Sequence, residues 1–259
     1  LHMGKILECA AIASLPGSGS DCMMGTLDEG GFVLETLNPA RICTVTSVAA
    51  HTLYEKSDPY HLPGPGGALN LRATGFEQID PARVRVTGTV FEPSDGYFVK
   101  LEAARIVGYR TVSIAGVRAP DFIAQLDSIL DGVRARVFDN FPDMQAGNAT
   151  LIFRVYGRDG VMGALEPERD HLPHELGLVI EAVADTQDRA NTICSFARST
   201  MLHFGYPGRV STAGNLAFPY SPSDFKAGAV YGFSLYHLVR VSDPVAPFPF
   251  HMSNLEDPA

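Results

Sequence analysis

The segment 186–204 carries polar residues at spacings that place them on one side of a predicted helix. Asn191, Ser195 and Arg198 follow one another at intervals of four and three residues, so they share a helical face. A guanidinium flanked by small hydroxyl groups is suited to hold a carboxylate or phosphate through two hydrogen bonds. Exposed helix faces usually carry Glu and Lys, yet residues 190–204 contain neither. The pattern therefore predicts an anion-binding face with Arg198 at its centre.

The same predicted helix ends with a second polar pair. Ser199 and His203 are four residues apart and also share a face. Histidine gains and loses a proton near neutral pH, and the helix dipole favours its charged form in the last turn. We therefore expect His203 to transfer protons. Cys194 falls on the apolar stripe of this helix, which predicts a packing role for its thiol.

A long segment without a regular hydrophobic pattern follows, over residues 205–224. Its aromatic and aliphatic content argues against disorder, and long ordered connections often carry function. Six of its polar side chains could line a pocket for a small anionic ligand, with Arg209 supporting Arg198: Arg209, Thr212, Asn215, Ser221, Ser223 and Asp224. A well-packed loop or a subunit interface is an equally good interpretation.

A third candidate pair lies on a helix predicted over residues 44–56. His51 and Glu55 are four residues apart, and a carboxylate beside an imidazole fixes its tautomer and suits it to act as a general base. From the residues alone, an exposed ion pair on the helix surface is the more common outcome. We expect Glu55 to orient His51 if this pair belongs to the site.

Three other motifs give weaker signals. Gly17-Ser18-Gly19 and the run from Gly64 to Gly67 resemble phosphate-binding loops but lack the strand-to-helix context of a dinucleotide fingerprint. His171, His174 and Glu175 lie close together, but no helical spacing fixes them as metal ligands, so a solvated acidic loop is favoured. We predict no metal site, and the sequence identifies no cofactor.

The elements that must position these residues indicate an α+β fold of mixed α/β character. We predict a hairpin-based sheet with packed helices over residues 1–145 and a βαβ-like unit with a long Gly/Pro/Ser loop and a proline-rich tail over residues 146–259. The predicted hairpin joins strands 83–91 and 97–106 through the turn at residues 93–96. The other main elements are expected at residues 109–115, 120–138, 150–156, 178–184, 186–204 and 229–241.

Composition narrows the classes of function. The 259 residues are 46% hydrophobic and 19% charged, which is typical of a globular protein. The net charge of −9 argues against nucleic acid or an anionic membrane as the main partner. The four cysteines form no CxxC pair, and no stretch has the pattern of a membrane span or a signal peptide. We therefore expect a cytoplasmic protein with free thiols.

Several stretches resemble the acyclic terpene utilisation (AtuA) family. They are GKILEC at residues 4–9, LYEKSDP at residues 53–59, the segment at residues 194–224, and a closing strand at residues 231–237. The spacing between the stretches also follows the family, so the resemblance covers residues 4–241. It implies a catabolic protein of pathways that degrade branched acids or their CoA thioesters, without supplying a settled reaction or set of catalytic residues.

The chain departs from the family pattern at three places. Ile106-Val107-Gly108-Tyr109 stands where family members usually have Arg-Asp-Gly-Tyr, and the run from His61 to Gly67 replaces the usual extended segment. The family also carries a sizeable N-terminal domain ahead of the point where this chain begins. We therefore expect the chain to correspond to the C-terminal portion of such a protein.

These observations predict part of a cytosolic enzyme that acts on a small carboxylic acid or an acyl-CoA by lyase, hydratase or isomerase chemistry. Arg198 would bind the anion, His203 or His51 would transfer protons, and the polar side chains of the loop would complete the pocket. The alternative is a non-catalytic subunit that completes a heteromeric assembly with a chain supplying the N-terminal half. Either interpretation makes a homo- or hetero-oligomer the expected state.

Overall fold

The computed structural model describes residues 1–8, 13–16, 22–210 and 213–252. Two compact units divide the chain: Leu1–Leu101 together with Tyr236–Ala259, and Glu102–Leu235. This division differs from the predicted boundary at residue 145, because the strands and helices on both sides of that position pack on one sheet. The predicted α+β fold class is confirmed.

The described residues of the first unit form short antiparallel strands and the two helices α1 and α2. In chain order they are α1 (His2–Glu8), β1 (Ser14–Leu15), β2 (Met23–Asp28), β3 (Gly31–Thr36), β4 (Ile42–Cys43), α2 (Val45–Leu53), β5 (His61–Gly64), β6 (Gly67–Asn70), β7 (Gly75–Asp80), β8 (Arg83–Thr87) and β9 (Val90–Pro93). Strands β2-β3-β8-β7 form one sheet, β5-β6-β9 form a second, and β1 pairs with β4.

The core of the first unit follows from alternation along its strands. Leu34 of β3 and Val84 and Val86 of β8 are fully buried, as expected for residues that face one side of a sheet at a period of two. Ile6 of α1 and Val48 of α2 belong to the same buried cluster. The two helices therefore cover one face of the sheet.

Two predictions in the first unit are wrong. Strand β8 pairs with β3 and β7 rather than with a strand at residues 97–106, because the local turn signal does not specify the partner of a strand. Helix α2 ends at Leu53 rather than at residue 56, and Thr44 caps its start through a hydrogen bond from the backbone N–H of Ser47. Glu55 then adopts a left-handed conformation with φ of 56°.

The described residues of the second unit form four strands and three α-helices. Its elements are β10 (Tyr97–Val117), α3 (Pro120–Ala124), α4 (Leu126–Asn140), β11 (Ala149–Tyr156), β12 (Leu176–Ala184), α5 (Gln187–His203) and β13 (Asp224–Val241). Strands β10 and β13 begin or end in the first unit. The helix expected at residues 120–138 is interrupted at Gln125, and the strands expected at residues 97–106 and 109–115 are one continuous strand.

The four strands lie in the order β11-β12-β10-β13. Strand β12 is antiparallel to both β10 and β11. Strand β13 is antiparallel to β10, since Ser234 contacts Ala103 whereas Ser223 contacts Ser113. The predicted βαβ-like unit is therefore a split one, in which β10 separates the parallel strands β12 and β13. With α3 and α4 between β10 and β11, the order βαββαβ matches the ferredoxin-like arrangement.

Helices α4 and α5 pack against one face of this sheet. Ile180 and Ala182 of β12 share one buried cluster with Ile129 of α4 and Ile193 of α5. The stripe predicted on α5 is confirmed, because Ala190, Ile193, Cys194, Ala197 and Met201 are all buried. The polar residues beside that stripe consequently lie at the margin between the helix and its neighbours.

Within the described residues, no helix combines the length and the apolar character needed to cross a bilayer. Strand β13 lies at the edge of the sheet, and Gly228 within it has a φ of 81°.

Candidate functional site

A cavity of about 720 Å³ lies beside α5 in the second unit. Its volume falls within the range of small-molecule sites, roughly 300–1,000 Å³. The residues that line it come from the end of α4, one face of α5 and the start of β13: Asn140, Phe141, Asn191, Thr192, Ser195, Phe196, Ser199, Asp224 and Lys226. Four of the residues predicted from the sequence, namely Asn191, Ser195, Ser199 and Asp224, therefore lie together.

Arg198 forms an ion pair with Asp224 at the edge of this cavity. Its Nε donates to Asp224 Oδ1 at 2.7 Å, and its Nη2 donates to Asp224 Oδ2 at 3.2 Å and to Ser195 Oγ at 3.1 Å. Both side chains are about one-fifth exposed, which limits competition from water. The two contacts fix the orientation of the Asp224 carboxylate, and they occupy the guanidinium edge that the sequence predicted for a ligand.

The Asn191 side chain is held by one residue of the sheet and one residue of its own helix. Its Oδ1 accepts hydrogen bonds from Thr111 Oγ1 and from Gln187 Nε2, and Thr111 is fully buried. Oδ1, the acceptor of this amide, is thus occupied. The Nδ2 group is its donor, and Asn191 lines the cavity. We call Asn191, Ser195, Arg198 and Asp224 the cavity network.

The remaining lining residues give the cavity two chemically different sides. Phe141 and Phe196 form an edge-to-face pair with ring centroids 5.5 Å apart, and they supply an aromatic wall. Lys226 follows Asp224 by two residues on β13, so both side chains point to the same side of the strand. Among the described residues, the Lys226 ammonium forms no ion pair.

His203 lies in a neighbouring cavity of about 590 Å³ rather than in the first one. This second cavity is also lined by Arg136, Asp139 and Thr200. The two cavities share Asn140 and Phe196, so His203 and the cavity network lie on either side of these residues.

Arg209 and Asn215 bind the C-terminal end of α5. Asn215 Nδ2 donates to the carbonyl groups of Met201 and Phe204 at 2.8 and 2.9 Å. Arg209 donates from Nη1 to the carbonyl of His203 and from Nε to Asn215 Oδ1. Helix ends leave carbonyl groups without intrahelical partners, and these two side chains satisfy them. We call Arg209 and Asn215 the cap network.

The other loop residues predicted for the site are dispersed. Ser221 is exposed, and the carbonyl of Ser223 accepts a hydrogen bond from the buried Ser113 at 2.8 Å. Thr212 lies outside the described residues.

His51 and Glu55 belong to the first unit. The predicted pairing is wrong, because Glu55 lies beyond the end of α2 and no longer shares its helical face. His51 Nδ1 contacts the carbonyl of Ser47 at 3.0 Å instead.

The weaker motifs have structural roles where they are described. Gly64 and Gly67 pair with each other at the hairpin turn between β5 and β6. Gly17-Ser18-Gly19 lies outside the described residues. The carbonyl of His174 accepts a hydrogen bond from Arg118. Across the parts of the chain that the structure describes, no three metal-ligating side chains cluster together.

Cys194 is a residue of α5, and it is fully buried. Burial, followed by the nearby Asp224 carboxylate, raises the pKa of its thiol to about 12. The thiol therefore stays protonated at neutral pH, which agrees with the packing role predicted for it.

Sequence reasoning missed Lys226 and the aromatic wall. The Gly/Pro/Ser-rich composition of residues 205–228 predicts a loop at Lys226, whereas β13 begins at Asp224. The alternation of Asp224 and Lys226 is the signal that a strand interpretation would have used. Phe141 follows the last residue of α4, and nothing in its local sequence indicates a cavity.

Comparison with known families decides the membership of the chain. The model of the acyclic terpene utilisation family protein AtuA matches residues 26–221. The chain belongs to the AtuA family. This membership suggests a role in acyclic terpene utilisation and confirms the resemblance found in the sequence. The matched range contains all of α5, while Asp224 and Lys226 follow shortly after its end. No curated protein and no solved structure matches the chain.

Proposed function

We propose that the cavity beside α5 is the active site of an enzyme that acts on a small branched carboxylic acid or its CoA thioester. The proposed chemistry is that of a lyase, hydratase or isomerase. The observation that carries the proposal is the Asp224 carboxylate, which is oriented by Arg198 in a cavity that also contains a cation and an aromatic wall.

Each of these reactions needs a base near a carbonyl compound. Addition or removal of water, and migration of a double bond, all require a proton to leave carbon or water, and a carboxylate can accept it. Asp224 is the proposed base, and Arg198 is its positioning residue. The Nδ2 group of Asn191 is the proposed donor to the carbonyl oxygen on which negative charge develops.

The two sides of the cavity fit an amphipathic substrate. Phe141 and Phe196 would pack against a branched hydrocarbon chain, as apolar walls do in most small-molecule sites. Lys226 would bind the carboxylate or thioester end. We assign this contact to Lys226 rather than to Arg198, because the guanidinium of Arg198 already contacts Asp224 through two nitrogens.

His203 has a second proposed role. It lines the adjoining cavity with Arg136 and Thr200, separated from Asp224 by shared residues. An acid that returns a proton to the product would act from this side. His51 belongs to the first unit and takes no part in this proposal.

Substrate screening with matched variants tests the proposal. The purified chain would be incubated with branched unsaturated acids, hydroxy acids and their CoA thioesters, and mass spectrometry would follow gain or loss of water and double-bond migration. We expect turnover to fall at least about 100-fold in Asp224→Asn. Asp188→Asn, which alters a carboxylate in the first turn of α5, should retain the parent rate. Equal rates in all three proteins would contradict the proposed base.

A further inference from the structure

The outer edge of β13 is unusual for the edge of a sheet. The strand is last in the order β11-β12-β10-β13, so one of its two backbone edges pairs with no strand in the described part of the chain. Residues 227–239 contain no Asp, Glu, Lys, Arg or Pro. Sheet edges are normally protected against further pairing by charged residues, proline or a covering element. Charged residues and proline, the first two of these protections, are therefore both missing from residues 227–239.

The side chains on this part of β13 are apolar and face solvent. In the second unit, Phe233 is 80% exposed and Tyr231 is 65% exposed, and both lie on one face of the strand with Leu235. A Cβ on Gly232 would lie 3.0 Å from Val107 Cγ1, so Gly232 and Val107 share the opposite face. Ile106 of β10 therefore lies on the face of Tyr231 and Phe233, one strand in from the edge. We call Tyr231, Phe233 and Leu235 the edge patch.

We propose that the β13 edge pairs with the same edge of a second copy of this chain. Antiparallel pairing around a two-fold axis would join two four-stranded sheets into one and place each edge patch against its copy. A two-fold interface uses one surface twice, so a single self-complementary strand is sufficient to form it.

The amount of apolar surface agrees with a dimer. An aromatic side chain buries about 150–250 Å², so Tyr231 and Phe233 offer roughly 200–350 Å² on each copy. Leu235 adds about 50 Å². Two copies would thus bury roughly 500–800 Å² of side chain, and the paired backbone brings the total to the ~1,000 Å² that a specific interface requires.

The edge also suits an identical partner because it carries no charge. A chain with a net charge of −9 repels a copy of itself, and the repulsion is smallest where the contacting segments are neutral. Lys226 and Arg240 bound the neutral stretch at its two ends. The inference is independent of the proposed reaction, since no residue of the edge patch lines the cavity.

Sedimentation velocity over a 100-fold range of concentration, together with light scattering, tests the proposal. The parent chain should be dimeric, and Phe233→Lys should weaken the dimer at least about 100-fold, because two desolvated charges replace apolar contacts. Tyr156→Lys is the matched control, as it changes an exposed aromatic residue on β11 at the opposite edge of the sheet. Circular dichroism establishes that each variant is folded.

A cysteine scan supplies an independent readout. Single cysteines at residues 229–235, in a chain with Cys9 and Cys22 replaced by serine, should cross-link two copies most efficiently at one position, and less on both sides of it. A monomeric parent chain would overturn the proposal. Equal weakening by Tyr156→Lys and Phe233→Lys, or cross-linking without a single maximum, would overturn it as well.

Discussion

Arg198 on α5 and Arg209 in the loop after it have different roles. Arg198 orients a carboxylate at the edge of a cavity, whereas Arg209 donates to carbonyl groups at the end of the helix and to Asn215. In the cavity network, the Nδ2 group of Asn191 donates to no side chain or carbonyl group among the residues that the structure describes. In the cap network, the donors of Asn215 are both occupied by helix carbonyl groups. A polar cluster is therefore a candidate site when its hydrogen-bonding capacity exceeds what the fold consumes.

Exchange of the two arginines for alanine gives the strongest test of this difference. We expect Arg198→Ala to lower kcat/KM about 100-fold, because Asp224 loses its orientation, while the KM changes little. Arg209→Ala should leave kcat/KM of the folded protein unchanged. Arg198→Lys should recover part of the loss by restoring one contact to Asp224. Steady-state kinetics on a substrate found by screening measures these values, and equal losses in both alanine variants would abolish the distinction.

The cap network should contribute to stability rather than to turnover. Asn215→Ala removes the hydrogen bonds to the Met201 and Phe204 carbonyl groups, and we expect the free energy of unfolding to fall by about 2 kcal/mol. Urea denaturation followed by circular dichroism measures the change. Ser221→Ala, at an exposed loop position, is the control and should change stability by less than ~0.5 kcal/mol. A loss of turnover without a loss of stability in Asn215→Ala would place it in the site.

Lys226 tests whether the cavity recognises an anion. Lys226→Met keeps the aliphatic stem but removes the charge, so we expect KM for an acidic substrate to rise about tenfold with little change in kcat. Lys226→Arg should retain most of the affinity. Steady-state kinetics at two salt concentrations measures the effect, and higher salt should raise KM for the parent protein more than for Lys226→Met. A salt dependence that survives in Lys226→Met would contradict this assignment.

The first unit provides a fully consumed polar network for comparison. His2 is buried, and its two ring nitrogens contact the hydroxyl groups of Thr52 and Thr89. Burial, assisted by the nearby Lys56 and Lys5, lowers the pKa of His2 from 6.5 to about 4. Between pH 6.5 and about pH 4, His2 binds a proton in the unfolded chain but not in the folded chain. The free energy of unfolding therefore decreases as the pH falls through this window, and the contribution of His2 is fully present above pH 6.5.

We expect this effect to be about 1 kcal/mol between pH 6.5 and about pH 5. The free energy of unfolding, measured by urea denaturation at several pH values, should depend less on pH in His2→Gln than in the parent. His237→Gln changes an exposed histidine and should keep the parent dependence. An unchanged dependence in His2→Gln would show that other groups produce it.

The sequence predicted well what local periodicity determines. The bounds of α5 and its buried stripe from Ala190 to Met201 follow from a spacing of three and four residues, and the structure confirms them. The grouping of Asn191, Ser195 and Asp224 around a cavity followed from the same helix together with the unusual loop. The ferredoxin-like order of the strands could not be read in this way, because strand partners far apart in the chain leave no local pattern.

The failures have a common physical origin in backbone conformation. The pattern of residues 44–56 predicts a helix that includes Glu55, but the helix ends two residues earlier. The composition before residue 229 predicts a loop at Lys226, which already belongs to a strand. The predicted hairpin at residues 83–106 followed a genuine turn signal, but β8 finds its partners in β3 and β7. In each case the residue type was informative, whereas its direction depended on contacts that the sequence does not display.

The position of Gly228 in β13 determines how the strand would respond to an insertion. This glycine lies between the cavity residues Asp224 and Lys226 and the edge patch at Tyr231 and Phe233, and its backbone has a positive φ within the continuous strand. The number of residues between the two groups thus sets which face of the sheet each of them occupies. An insertion of one residue here would turn either the cavity residues or the edge patch to the opposite face, whereas an insertion of two residues would preserve both.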